Sequence, residues 1–128
     1  YVGAWAHSIA TKFPATTLYV LEPVASHRSK CIRNLAAFGA RVRVLEYALG
    51  AADEELQMTV HGAASRVVAT ATDGDEVKVH VRTLATVTEQ LNISFVALLK
   101  LNVEGSECDI LEHILKPDLE NTRSNGEK

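Results

Sequence analysis

The chain has 128 residues, of which 47% are hydrophobic and 23% charged, and its formal net charge is −3 at pH 7. This length suits one domain around a single core, and no apolar run approaches the roughly 20 residues of a membrane helix, so we exclude a membrane span and expect no membrane partner. The 13 basic residues are scattered instead of gathered into a stripe, which argues against a nucleic-acid partner.

The cysteines and histidines indicate neither disulfides nor metal ligands. Cys31 and Cys108 lie far apart and outside any Cys-x-x-Cys pair. We interpret them as free, buried thiols and expect a cytoplasmic protein, because thiols stay reduced in that compartment. The 5 histidines form no ligand motif, and we predict no metal site.

The first half of the chain predicts strands and helices in alternation. The predicted order is a strand end at 1–4, a helix with the apolar stripe Trp5, Ile9 and Phe13, a strand over 17–22, a helix with the face Cys31, Ile32, Leu35 and Phe38, and a strand over 41–49. Pro14 should stop the first helix, and Gly39 should end the second as a left-handed cap. Alternation with short connections favours a parallel sheet.

The middle of the chain has a period of two, which is typical of strands with one wet face. Apolar residues alternate with polar ones over 56–61 and again over 77–82. We predict an antiparallel hairpin insertion here, with a turn at Asp73-Gly74 and a flexible loop over 62–65. A short helix with Leu84, Val87 and Leu91 should follow.

The apolar run from Phe95 to Leu101 predicts a buried parallel strand, and it ends in polar residues up to Glu107. Open α/β sheets bind ligands at such strand ends. Ser106 should cap a last helix whose buried face is Ile110, Leu111, Ile114 and Leu115. We therefore expect one domain over 1–116 and a polar tail over 117–128 that is disordered.

Gly3 and Glu22 have the spacing of a nucleotide-binding α/β fold, in which a glycine turn follows the first strand and an acid about 20 residues later binds ribose hydroxyls. The turn lacks the further glycines that a pyrophosphate needs, which argues against NAD. A nucleoside ligand without a pyrophosphate fits better. A helix-packing glycine and a solvated glutamate are the alternative interpretation.

Several motifs in the same order resemble the FkbM-type S-adenosylmethionine-dependent methyltransferases. They are Tyr1-Val2-Gly3-Ala4, Leu21-Glu22-Pro23, Ala48-Leu49-Gly50, Val81-Arg82-Thr83-Leu84 and the run LKLNVEGSE over 99–107. The last is similar to the family's "Leu-Lys-Ile-Asp-Val-Glu-Gly-Ala-Glu". The resemblance extends from residue 1 to about residue 115.

This resemblance implies a Rossmann-like, class I methyltransferase-like α/β fold: a mostly parallel sheet with helices on both faces and the antiparallel hairpin insertion, lacking the family's last strands. It implies S-adenosylmethionine as cofactor and methyl transfer to a hydroxyl or other nucleophile of a small molecule or sugar. The implied cofactor-binding residues are Gly3, Trp5, His7, Glu22, Ala48 and Leu49, and the implied catalytic residues are Asn102 and Glu104.

The chain departs from the family pattern at several positions, including Ala85, where aspartate is frequent. Tyr1 and Asn102 stand where the family has aspartate, Trp5 where it has asparagine, and His7 where it has glycine. Two hypotheses stay open: a divergent methyltransferase, or a catalytically inactive remnant that serves as an interaction or oligomerisation module. Because a truncated sheet exposes a strand edge, we also expect a homodimer.

Overall fold

A computed structural model describes residues 3–61, 64–67, 75–103 and 105–116. Its elements, in chain order, are α1 (Ala4–Lys12), β1 (Leu18–Leu21), α2 (Ala25–Leu35), a 3-10 helix (Ala36–Arg41), β2 (Val42–Leu45), β3 (Tyr47–Leu49), β4 (Glu54–His61), β5 (Ala64–Val67), β6 (Asp75–Arg82), α3 (Leu84–Gln90) and α4 (Glu107–Leu115). Within those ranges no helix has the length and apolar character needed to cross a membrane. The predicted tail lies outside the described residues.

The strands form two small sheets, β1 with β2, and β3, β6, β4 and β5 in that order. Pairing is parallel for β1–β2 and β3–β6, and antiparallel for β4–β5 and β4–β6. The described part of the chain is thus an α/β domain with mixed pairing in two sheets, and it lacks the single, mostly parallel sheet that we predicted.

α1 buries small side chains, and of the predicted stripe Ile9 packs against the same core cluster whereas Trp5 and Phe13 do not. It ends two residues before Pro14, as predicted. Ala6 and Ala10 are 5% and 0% exposed, whereas Trp5 and Phe13 are 40% and 45% exposed. Two alanines one turn apart let α1 approach α2 closely, and this packing selects a face that periodicity alone did not identify.

β1 and β2 pair in register from Leu18 opposite Val42 to Leu21 opposite Leu45. α2 connects them and packs on them, and one core cluster contains Ala6, Ala10, Leu18, Cys31 and Leu35. The predicted face of α2 is correct for Cys31 and Leu35, which are buried, and wrong for Ile32, which is 52% exposed.

The predicted strand over 41–49 is two strands. β2 ends at Leu45, a bend follows at Glu46, and β3 begins at Tyr47. Leu45 pairs with Leu21 in the first sheet, whereas Tyr47 pairs with His80 in the second. A single straight strand was the wrong prediction because this segment crosses between sheets.

The antiparallel strands of the middle region are confirmed. β4 pairs with β6 from Glu54 opposite Val81 to Val60 opposite Asp75. Part of the predicted loop over 62–65 is wrong, because Ala64 belongs to β5 and pairs with β4. The Asp73-Gly74 turn lies outside the described residues. A second core cluster packs Val24, at the N-terminus of α2, against Val79 and Val81 of β6.

The predicted buried strand at Phe95–Leu101 is wrong for this structure. The backbone over 95–103 forms neither helix nor strand. Phe95 and Leu98 are 79% and 62% exposed. A strand is stable only with a neighbour that completes its hydrogen-bond ladder, and none of the described strands pairs with this segment.

α4 has one buried residue among the four that we predicted for its core face. Ile110 is 1% exposed, whereas Leu111 and Leu115 are 42% and 72% exposed. Ser106 occupies the N-cap position without making a side-chain cap hydrogen bond. The periodic apolar pattern correctly predicted a helix. Its predicted apolar face, however, is wider than the part of the helix that packs against the rest of the domain.

Candidate functional site

Gly3 forms the turn that opens α1, and the structure gives two reasons for a glycine there. Its φ of 86° lies in the left-handed region, which side chains disfavour. A Cβ at this position would lie 3.2 Å from Leu35 Cδ1 and 3.7 Å from Cys31 Cα. Gly3 thus allows the start of α1 to lie directly against α2.

Glu22 follows β1 and presents a partly exposed carboxylate. Its backbone N–H donates to the Leu45 carbonyl oxygen at 2.9 Å, which extends the parallel ladder by one bond. Its Oε1 accepts the Val24 N–H at 3.0 Å, and His27 Nδ1 lies 3.9 Å from the same oxygen. Both of these contacts are made by Oε1.

Cys31 of α2 lies near both Gly3 and Glu22. Gly3 lies against the Cys31 backbone. Burial raises the pKa of the Cys31 thiol, and the negative charge of Glu22 raises it further. The glycine turn and the strand-end acid that the sequence singled out therefore both lie in the neighbourhood of Cys31.

Trp5 links the α1 turn to the segment that carries Asn102. The Lys100 ammonium lies over the Trp5 ring, 5.6 Å from its centroid. Asn102, two residues further along, is exposed. The predicted catalytic residue Glu104 lies outside the described residues.

Ala48 and Leu49 lie on β3, where they pair with Val81 and Arg82 of β6. The Ala48 side chain packs against the cluster that contains Val24. Val24 is two residues after Glu22, so this packing connects β3 to the end of β1. The Ala48 segment is thereby placed on the Glu22 side of the domain.

His7 does not join this group. Its imidazole makes an edge-to-face contact with Phe38, with 5.0 Å between ring centroids and an interplanar angle of 74°. On a helix with 3.6 residues per turn, positions 5 and 7 point to nearly opposite sides. His7 therefore faces the 3-10 helix while Trp5 contacts Lys100.

Sequence reasoning missed Glu107 as an organiser of the turn at 103–107. Its Oε1 accepts the Val103 N–H at 3.2 Å, and its Oε2 accepts the Gly105 N–H at 2.8 Å. These bonds flank position 104 and satisfy backbone donors ahead of α4. An acid at the first position of a helix, just after Gly-Ser, was the available signal.

Among the described residues, no group of three His, Cys, Asp or Glu side chains is placed to hold a metal ion. An open apolar cavity of about 170 Å³ lies between α2 and β2 and is lined by Ile32, Leu35, Ala36, Gly39, Val42 and Val44. None of the predicted site residues lines this cavity.

The fold is an α/β domain with small sheets and four described helices, compatible with a methyltransferase-like fold. The chain belongs to the methyltransferase FkbM domain family, whose family model matches residues 5–125. The family prediction made from the ordered motifs is therefore confirmed. Neither the search of curated proteins nor the search of solved structures found a match.

Proposed function

We propose that this chain is a divergent S-adenosylmethionine-dependent methyltransferase domain that transfers a methyl group to a hydroxyl or other nucleophile of a small molecule or sugar. Family membership supports the class of reaction. The observation that carries the proposal is that Gly3 lies against the Cys31 backbone while Glu22 is near enough to the Cys31 thiol for its charge to raise the pKa. A glycine turn beside a strand-end acid is the arrangement with which α/β folds bind a nucleoside.

The residues present fit this cofactor. The Gly3 turn places no capping side chain over the start of α1. In the proposal, this turn lies beside the amino-acid part of the cofactor. Glu22 Oε2 accepts hydrogen bonds from the ribose hydroxyls, and Ala48 and Leu49 lie along the adenine edge. The proposed site belongs to a Rossmann-like arrangement of the sheet.

When bound, the cofactor supplies an electrophilic methyl on a sulfonium. The protein's part is to align an acceptor with that methyl, because orientation supplies most of the rate in such a transfer. Asn102 and Glu104 stand at the tip of the 99–107 motif. We assign Asn102 to positioning the acceptor by hydrogen bonds and Glu104 to removing its proton.

The test compares the binding of S-adenosylhomocysteine to the wild type and to Glu22→Gln. The glutamine keeps an oxygen for the Val24 N–H but removes the charge, so affinity should fall about fivefold to tenfold, the difference between charged and neutral acceptors. Glu46→Gln is the matched control, since Glu46 follows β2, is 63% exposed and pairs with Arg28 at 3.8 Å. Equal affinities for all three proteins would reject the role of Glu22.

A second candidate function is a catalytically inactive module for interaction or oligomerisation. The exposed apolar side chains of Phe95 and Leu98 favour it, because they lie in a segment without a strand partner among the described residues. Absence of binding to S-adenosylmethionine and S-adenosylhomocysteine at millimolar concentration, together with stable self-association, would select this function over the first.

We further propose that the chain forms a homodimer in the cytoplasm. The first sheet has only two described strands, and open strand edges are commonly paired or covered. The free thiols of Cys31 and Cys108 suit a reducing compartment. Light scattering coupled to size exclusion should give twice the chain mass, and a monomer across all concentrations would reject the dimer.

A further inference from the structure

The indole ring of Trp5 makes a cation–π contact with a lysine of the same chain. Lys100 Nζ lies 5.6 Å from the ring centroid. The ring is 40% exposed, and Lys100 is exposed as well. Tryptophan is the strongest aromatic partner for a cation, and its electron-rich face attracts an ammonium and a ligand cation alike.

The place of this pair makes the attraction relevant to a ligand. Trp5 lies in the first turn of α1, two residues after the Gly3 turn. Lys100 lies two residues before Asn102, on the segment proposed to face the acceptor. The pair therefore bridges the two parts of the site between which a transferred methyl would lie.

We propose that Lys100 occupies the face of Trp5 that a cationic ligand of this site would otherwise contact, so that the Trp5–Lys100 pair disfavours the charged cofactor relative to its neutral product. This inference rests on the proposed function. S-adenosylmethionine carries a sulfonium cation, whereas S-adenosylhomocysteine has a neutral thioether in its place. The two ligands share all other groups, so their affinity ratio isolates the sulfonium.

Two physical effects act in the same direction. An ammonium already over the ring denies the sulfonium a cation–π contact. The same ammonium also repels a second positive charge placed nearby. Removing the Lys100 charge relieves both effects for S-adenosylmethionine and neither for S-adenosylhomocysteine.

The experiment measures both affinities by calorimetry for the wild type and Lys100→Met, which keeps an unbranched side chain without the charge. The expected result is a ratio shifted about twofold to fivefold towards S-adenosylmethionine, with the S-adenosylhomocysteine affinity nearly unchanged. Lys30→Met is the control, because Lys30 is an exposed cation on α2. It should leave the ratio at the wild-type value.

Trp5→Leu gives an independent check. Without the indole, Lys100 and the sulfonium no longer compete for a cation–π contact. Replacing Lys100 should then shift the ratio of the two affinities less than it does with Trp5 present. Trp5 is the single tryptophan of the chain. Fluorescence therefore reports this ring alone, and S-adenosylmethionine should change its emission more strongly in Lys100→Met than in the wild type.

Three outcomes would overturn the inference. An unchanged ratio in Lys100→Met would show that Lys100 does not act on the sulfonium. An equal loss of affinity for both ligands would show that Lys100 binds a group they share, such as the carboxylate. Binding of neither ligand by any variant would reject the proposed function, and this inference with it.

Discussion

Gly50 is placed where the second sheet leaves no room for a side chain. A Cβ on residue 50 would lie 2.3 Å from Val81 Cγ1, and Val81 is 4% exposed. The Gly50 N–H donates to the Arg82 carbonyl oxygen at 3.0 Å, which holds the backbone beside β6. Gly50→Ala must therefore displace either a buried side chain or this hydrogen bond.

The cost follows from two opposing effects. Overpacking of a close-packed interior costs about 1–3 kcal/mol. Alanine also lowers the conformational entropy of the unfolded chain, which stabilises the folded state by about 0.4–1 kcal/mol. We expect Gly50→Ala to lower the free energy of unfolding by about 0–2.6 kcal/mol, measured by urea denaturation followed by circular dichroism.

A double-mutant cycle with Val81→Ala tests the cause. Val81→Ala alone should cost about 1.5–3 kcal/mol, from two lost carbon groups and the cavity they leave. In that background the clashing Cγ1 is absent, so Gly50→Ala should cost nothing or stabilise. If the two single effects simply add to within about 0.5 kcal/mol, the steric reasoning is refuted.

Three further predictions concern the end of α1, the thiols and the pH dependence of stability. Arg41→Ala should destabilise the fold by about 1.5–3 kcal/mol in urea unfolding, because its guanidinium donates to three backbone carbonyl oxygens at the end of α1 and in the turn after it, at 3.1–3.3 Å. Iodoacetamide at pH 8 should alkylate the exposed Cys108 and spare the buried Cys31, whose pKa is raised by burial and then by Glu22, until urea unfolds the chain; intact-mass spectrometry counts the labels. The pKa of Asp53 is lowered, first by the Thr86 hydroxyl and then by a backbone N–H, so its contribution to stability should be present above the unfolded pKa and lost as pH falls below about 4. Urea midpoints of the wild type and Asp53→Asn should therefore converge between about pH 5 and pH 2.

The Arg41 prediction has a control variant, and each prediction has an outcome that would contradict it. Arg43→Ala removes an exposed arginine stacked on Tyr19 at 5.6 Å and should cost only about 0.5–1 kcal/mol. A loss as large as that of Arg41→Ala would contradict the role of the three carbonyl contacts. Rapid labelling of both thiols in the folded state would contradict the burial of Cys31. A constant difference between the two Asp53 proteins at every pH would show that its ionisation is not linked to folding.

Local signals in the sequence predicted the elements that local chemistry determines. Pro14 marks the end of α1, and the period of two found β4 and β6. The ordered motifs identified the family. These features depend on propensity, spacing or turn chemistry within a few residues, which a single sequence contains.

Features that depend on distant neighbours were not predictable in this way. The buried face of α1 is set by how closely Ala6 and Ala10 let α2 approach. The apolar run at 95–101 has the composition of a buried strand, but a strand also needs a paired neighbour. Composition indicates that a segment can form a strand, but whether it does depends on a neighbouring strand to pair with.

The candidate site shows the same division. The spacing of Gly3 and Glu22 indicated a nucleoside site; in the structure Gly3 lies against the Cys31 backbone, and the charge of Glu22 raises the pKa of the Cys31 thiol. The contact between Trp5 and Lys100 joins residues 95 positions apart in the chain and had no local signal. Glu107, by contrast, holds two backbone donors within four residues and was visible in principle.

Calorimetric titration of the wild-type protein with S-adenosylhomocysteine tests the central proposal most directly. The predicted result is saturable binding with one ligand per chain, because the proposal assigns one site to each chain, formed by the Gly3 turn and the Glu22 carboxylate. No heat and no thermal shift at millimolar ligand would contradict the proposed cofactor site.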